Sequence, residues 1–182
     1  MNPLFNEKII ANKVNEIAMK LNNDCLGKKN IVLICILKGS FIFTSDLIRK
    51  LNFDFSIEFI EISSYGNSKK SGNIKLISEI KVDLSDKNIF IIEDIIDTGN
   101  TLNFLEHKLQ EKGAKNINYI TLLLKHEKHQ TRSPIKYFGF KIHDVFVAGY
   151  GMDYNGKYRN LPYIIDVNDI QSDLTASLIF SD

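Results

Sequence analysis

Residues 89 to 101 read Ile-Phe-Ile-Ile-Glu93-Asp94-Ile-Ile-Asp97-Thr98-Gly99-Asn100-Thr101. An apolar run leads directly into two adjacent carboxylates, a third stands at Asp97, and a small turn then opens the next segment. That turn has the parts of a phosphate cradle: free backbone N–H groups at a helix N-terminus, a glycine for close approach, and hydroxyls from Thr98 and Thr101. Carboxylates beside a phosphate are unfavourable unless they face sugar hydroxyls, a proton or a divalent cation. The bland alternative is a Thr98-capped helix with solvated acids. It does not account for Glu93 and Asp94 abutting a buried run.

Other residue types capable of chemistry also sit at the ends of apolar segments. Lys38-Gly39 follows Ile31–Leu37 and places a cation and a side-chain-free backbone at a strand end, which suits a pyrophosphate as well as a plain solvated turn. Lys125 ends the run Ile117–Leu124, either at the active edge of a sheet or as a surface lysine. Phe146 and Val147 read by pattern as strand core, and Asp153 and Arg159 as solvent-facing loop residues. The two cysteines give no disulfide framework, and Cys35 inside an apolar run reads as a small core hydrophobe. Of the four histidines only His126 and His129 are close, without a thiol or third imidazole for zinc.

These residues need elements to position them. Ile10, Val14, Ile17, Ala18 and Leu21 recur at helical spacing. Ile31–Leu37 is a continuous β-branched run, the pattern of a parallel strand buried on both faces. A helix from Ser40 or Phe41 to about Leu51 is expected, with Phe41, Ser45, Ile48 and Leu51 on its stripe. Ile57–Ile62 reads as a strand, 63 to 73 as a long polar loop holding Gly66 and Gly72, and Ile74–Ile80 as a strand returning from it. Ile89–Ile92 is a buried strand, Thr101–Lys112 a helix stopped by Gly113, Ile117–Leu124 a buried strand, and Val145–Ala148 a last short core strand. Alternating solid apolar strands and helices indicate an α/β domain with a mainly parallel sheet, whose ligands bind at the carboxyl ends of the strands. No internal repeat or linker appears, so residues 1–182 are expected to form one domain.

The run Ile-Ile-Glu93-Asp94-Ile-Ile-Asp97-Thr98-Gly99-Asn100-Thr101-Leu resembles the phosphoribosyl-diphosphate motif of the type I phosphoribosyltransferases, in the form carried by the hypoxanthine-guanine branch. Further landmarks of that branch follow in order: Leu37-Lys38-Gly39-Ser40, Ser64-Tyr65, Lys125, Phe146 to Tyr154, and Arg159, so that the resemblance spans roughly residues 5 to 167. It implies the type I phosphoribosyltransferase fold, a twisted sheet flanked by helices with a mobile active-site loop at about 63–75 and a small hood at about 150–182. It implies phosphoribosyl transfer to N9 of hypoxanthine or guanine, giving the monophosphate and pyrophosphate. Asp97-Thr98-Gly99-Asn100-Thr101 would cradle the 5′-phosphate, and Glu93 and Asp94 would bind the ribose hydroxyls directly or through Mg²⁺. Asp153 would hold the metal from the pyrophosphate side, while Lys38 and Arg159 would face the pyrophosphate. The Lys38–Gly39 peptide is expected to be cis, and Ser64-Tyr65 to open the loop that closes over the site. Phe146 would stack on the base and Val147 offer backbone groups to its edge.

Lys125, as a fixed donor, would prefer the oxygen at position 6 of a purine to the amino group of adenine, leaving hypoxanthine, guanine and xanthine equivalent. Asp97 is the expected general base or acid at purine N7, a role that suits a carboxylate when burial and an adjacent phosphate strengthen its hold on a proton. Asn100 departs from the lysine of some relatives, keeping a donor and losing a charge.

The whole-chain balance sets outer limits. The 23 basic and 22 acidic residues give +1, without the basic surplus of a nucleic-acid-binding module. At 44% apolar and 25% charged, the 182 residues have a soluble globular composition. No apolar run approaches the roughly 20 residues of a membrane span, and Glu7 and Lys8 interrupt any signal-peptide pattern. A cytoplasmic setting and a homodimer or homotetramer are expected. One competing class is a regulator that senses phosphoribosyl diphosphate or a nucleotide on the same fold without catalysis. It would need a DNA-binding element, and the segment before the first core strand holds one amphipathic helix. A phosphoacceptor domain is excluded because Lys38 stands where it needs acids.

Overall fold

In a computed structural model, which describes residues 2–65, 73–78, 80–125, 130–133 and 135–169, the apolar run forms a central strand, β1 (Ile31–Leu37), buried along almost its whole length. Before it comes α1 (Glu7–Asp24), where the Asn6 side chain accepts from the Ile9 N–H at 2.9 Å and Ile10, Val14, Ile17, Ala18 and Leu21 are buried as their spacing requires. After β1 come α2 (Phe41–Ile48), β2 (Phe55–Tyr65), β3 (Asn73–Leu76), β4 (Asn88–Ile96), α3 (Asn100–Glu111), β5 (Asn116–Lys125), β6 (Tyr137–Ile142), β7 (Val147–Ala148) and β8 (Ile165–Asp166). The main sheet has the order β3-β2-β1-β4-β5-β6, with β3 antiparallel to β2 and every other neighbour parallel. β7 and β8 form a separate antiparallel pair.

Two cores flank the sheet. One packs α1 and α2 through Ile10, Leu21, Phe43 and Leu47 against Leu33, Phe90 and Ile120; the other packs α3 through Leu102, Leu105 and Leu109 against Ile34, Ile89 and Tyr119. The chain leaves β1 for β2 on one side and returns to β4 on the other, so the strand order reverses beside β1. Such a switch point opens a crevice at the carboxyl ends of the two strands. Among the described residues no helix is long and apolar enough to cross a membrane.

Several expectations change in detail. β2 continues to Tyr65, three residues into the expected loop, because β3 pairs with its end through Tyr65↔Asn73 and Ile62↔Leu76. Residues 66–72 of that loop, His126 and His129, and 170–182 of the expected hood and its apolar tail lie outside the described residues. β6 was not expected; Gly139 and Lys141 interrupt its apolar character, as an edge strand allows. Val145–Ala148 is no core strand, since only Val147 and Ala148 pair and Phe146 is 76% exposed. α2 ends at Ile48 and buries Phe43, Thr44 and Leu47, leaving Phe41 and Ser45 outward. Its sequence is apolar almost all round, so hydrophobic spacing alone does not choose the buried face.

That phase has a measurable consequence. Phe43→Ala should cost about 3–5 kcal/mol in chemical denaturation, and Phe41→Ala under about 1 kcal/mol. Equal losses for the two would refute the observed orientation of α2.

Candidate active site

A cleft of about 350 Å³ opens at the switch point between β1 and β4. Lys38 and Gly39 line it from the end of β1, Asp94, Ile95 and Asp97 from β4 and the residue beyond its end, and Lys125 from the end of β5. Phe146, Val147, Asp153 and Arg159 close it from the C-terminal segment, with Val145 and Met152 adding apolar wall. Nine residues singled out in the sequence therefore share one cavity. Thr98, Gly99, Asn100 and Thr101 form the turn immediately beyond Asp97 and the start of α3. Ser64 and Tyr65 end β2, and their side chains fall outside the described set.

Glu93 and Asp94 do not follow the strand as expected; both lie within β4. Asp94 faces the cleft and Glu93 does not line it, because neighbours on a strand point to opposite faces. Two residues later the alternation changes. Ile89 and Ile91 serve the α3 core and Phe90 and Ile92 the α1–α2 core, yet Ile95 packs with the latter and Ile96 with the former. β5 slips at the same level: Tyr119 belongs to the α3 core and Ile120 and Leu122 to the other, but Leu123 joins Leu122 and Leu124 joins Tyr119. Thr121 marks the place, with its hydroxyl 2.9 Å from Leu123 O and 3.2 Å from Asp94 O. After the slip, Asp97 and Lys125 turn into the cleft.

The backbone is equally specific. The cis peptide is Leu37–Lys38, one bond earlier than expected. A Cβ built at Gly39 would fall on the Asp94 carboxylate, so any other residue there would push that carboxylate from its place in the cleft. Gly99, at the N-cap of α3, has φ +82°, and a Cβ there would lie 2.7 Å from the Thr131 methyl.

Each cation of the cleft sits beside a carboxylate. Lys38 Nζ is 3.6 Å from Glu61, and Arg159 is 2.6 Å from Asp153 while also donating to Gly151 O at 2.8 Å. Lys125, only 4% exposed, reaches Asp97 at 3.2 Å and Asp144 at 3.0 Å, with the Phe146 ring centroid 5.3 Å from its ammonium. Asp144 was not singled out in the sequence; a carboxylate just past β6 becomes meaningful only once β6 is known to neighbour β5. The Asp97 side chain is half-exposed rather than enclosed as expected, but its Oδ1 is buried without a hydrogen-bond partner. Burial, reinforced by the neighbouring Asp94 charge, pushes Glu93 well above the ordinary carboxylate range. Burial also raises Asp94 to about 6, against the lowering effect of the backbone N–H groups of Asp94 and Ile95.

The expected metal set of Glu93, Asp94 and Asp153 is not assembled as a cage; among the described residues no three acidic, histidine or cysteine side chains converge as metal ligands. Asp94 and Asp153 do face the same cleft. That donor set fits a Mg²⁺ ion held by one or two carboxylates with its remaining positions filled by substrate oxygens and water.

The sequence matches the description of a phosphoribosyl transferase domain over residues 2–155. It is 39% identical over 170 residues to a hypoxanthine-guanine phosphoribosyltransferase of Dictyostelium discoideum, covering 91% of this chain and 94% of that protein. It is 40% identical to one from Staphylococcus aureus over 88% of this chain and 90% of the relative. A crystal structure of a Bacillus anthracis hypoxanthine-guanine phosphoribosyltransferase superposes with a TM-score of 0.84 at 41% identity, over 91% of this chain and 98% of that one.

The raised Asp94 has a consequence for stability. Folding lifts this carboxyl from its ordinary 3.8 to about 6, so the folded state holds the proton more tightly than the unfolded state. The associated stability is present below about pH 4 and is lost as pH rises through about 6. Asp94→Asn should therefore melt at a higher temperature than the parent at about pH 7.5 and close to it at about pH 4. An advantage of the same size at both pH values would contradict this.

Proposed function

This chain belongs to the phosphoribosyltransferase family, and from that premise we propose that it serves purine salvage, transferring the phosphoribosyl group of 5-phosphoribosyl 1-diphosphate to N9 of hypoxanthine or guanine. The observation that carries this reading is the convergence of the Lys38-Gly39, Asp94–Asp97, Lys125 and Phe146–Arg159 segments on one cleft beside a glycine-bearing turn. The relatives matched along most of the chain are transferases, and nothing favours a non-catalytic sensor.

The bond from the sugar's anomeric carbon to pyrophosphate breaks, the bond to purine N9 forms, and the purine gives up its N7 proton. The Thr98–Thr101 turn receives the 5′-phosphate on the N–H groups of its helix start. Phe146, standing 76% exposed at the cleft, stacks on the base, and the Val147 backbone meets its edge. Lys125 donates to the 6-oxo group; a 6-amino group, itself a donor, offers the ammonium no acceptor on the base. Asp97 takes the N7 proton on its carboxylate, whose Oδ1 has no hydrogen-bond partner in the protein. Lys38 and Arg159 bind the departing pyrophosphate, and Asp94 keeps negative charge near the sugar as it becomes cationic. Asp94 and Asp153 are the residues that would hold Mg²⁺; Glu93, which does not line the cleft and is held toward its protonated form by burial, would not. When bound, the ion neutralises charge on the diphosphate.

The test follows nucleotide formation from phosphoribosyl diphosphate and each purine separately. Hypoxanthine and guanine should turn over, adenine should not, and EDTA should abolish the activity. Asp97→Asn should lower kcat by about 100-fold or more; near-normal turnover would remove Asp97 from the proton transfer. Turnover of adenine instead would overturn the role given to Lys125.

A further inference from the structure

The Thr98 carbonyl points away from the turn it belongs to and accepts the backbone N–H of Gln130 at 2.9 Å. Gln130 and Arg132 are in turn bracketed by one side chain of α3. Asn103 Nδ2 donates to Gln130 O at 2.7 Å, and Asn103 Oδ1 accepts the Arg132 N–H at 2.8 Å. Between them Thr131 sets its methyl against Gly99, where a Cβ would come within 2.7 Å of it. The Asn103 backbone N–H makes the first bond inside α3, to Gly99 O at 2.9 Å, so the N–H groups before it have no intrahelical acceptor, that of Asn100 turning instead to the Thr98 hydroxyl at 3.4 Å.

A turn binds an anion when its N–H groups face inward and its carbonyls face outward, because an inward carbonyl oxygen presents the negative end of its dipole to the ligand. Thr98 O is the last carbonyl before Gly99 O, which is taken up by the first bond of α3, and the segment formed by residues 130–132 holds it outward. That segment is an exposed connection outside the sheet, tied to α3 by the Asn103 bracket and, one residue on, by the Ser133 hydroxyl donating to Glu106 at 3.0 Å. We propose that Asn103 is a positioning residue: acting through residues 130–132, it clamps the Thr98–Gly99 turn in the conformation that receives a phosphate group. The identity of that group as the 5′-phosphate of a phosphoribosyl substrate rests on the function proposed above.

Asn103→Ala removes both side-chain bonds and leaves the helix backbone intact. With the full chain, the KM for phosphoribosyl diphosphate should rise about 10-fold, as expected for two exposed hydrogen bonds, while kcat and the KM for hypoxanthine stay within about twofold. Calorimetric binding of ribose 5-phosphate should weaken by the same factor, and the Gln130 and Arg132 amides should exchange faster with solvent. His107→Ala, one turn along α3 and exposed, should change none of these. Unchanged affinity for both phosphate ligands, or a matching loss for base and phosphoribosyl diphosphate together, would overturn the clamp. A parent chain that forms no nucleotide, yet binds ribose 5-phosphate in a way that Asn103→Ala weakens, would sink the transfer reading and keep the clamp. An active parent with an indifferent Asn103→Ala would do the reverse.

Discussion

In a regular strand, side chains two apart share a face, and β4 and β5 both abandon that rule between Asp94 and Ile95 and between Leu122 and Leu123. The cleft depends on this shared slip. Without it, Asp97 and Lys125 would continue the rows of Ile91 and Tyr119 and point toward α3. With it, Asp94, Ile95, Asp97 and Lys125 all open onto one cavity. Register between the strands is kept on both sides of the slip, with Glu93 opposite Thr121 and Ile95 opposite Leu123, so the sheet turns its faces without losing its ladder. Thr121 places one hydroxyl within reach of two carbonyls at the irregular point, Leu123 O being the nearer acceptor for its single proton.

The cleft's charges form a set of exchangeable pairs. Lys38, Lys125 and Arg159 are each held by carboxylates, namely Glu61, Asp97 with Asp144, and Asp153. Exposed pairs such as Lys38–Glu61 are worth at most about 1 kcal/mol, so an incoming anion would meet little resistance in replacing that carboxylate. Lys125 is different because its ammonium is buried. Removing its partners would strand a charge in the protein, and this keeps it fixed in place as a hydrogen-bond donor. Asp94 and Glu93 are the converse case. Burial already raises both, and a cation or a sugar hydroxyl would relieve the strain of ionising them together.

Much of the architecture was legible from apolar runs. Ile31–Leu37 formed β1 with those limits, and the α1 periodicity named all five of its buried residues. Legibility failed where the pattern carried no contrast. α2 is apolar around most of its circumference, so its buried face was misread, and β6 lies at an edge, where Gly139 and Lys141 dilute the signal. Phe146 looked like core because hydrophobicity does not distinguish a packed ring from one held open at a cleft.

Sequence by itself determined the chemical inventory: the acids of β4, the turn from Thr98 to Thr101, Lys38-Gly39, Lys125 and the segment from Phe146 to Arg159, together with the order of the strands that carry them. Only the tertiary structure decided which of these share a cavity. It turned Glu93 away from Asp94, moved the cis bond to Leu37–Lys38, brought Asp144 to Lys125 and tied Asn103 to the segment behind the turn. The physical reason lies in Leu122-Leu123-Leu124 and Ile95-Ile96. A strand buried on both faces satisfies either phase of the alternation equally well, so hydrophobicity cannot record which way the polar residue at its end will face. Packing of the two cores against the whole sheet makes that choice.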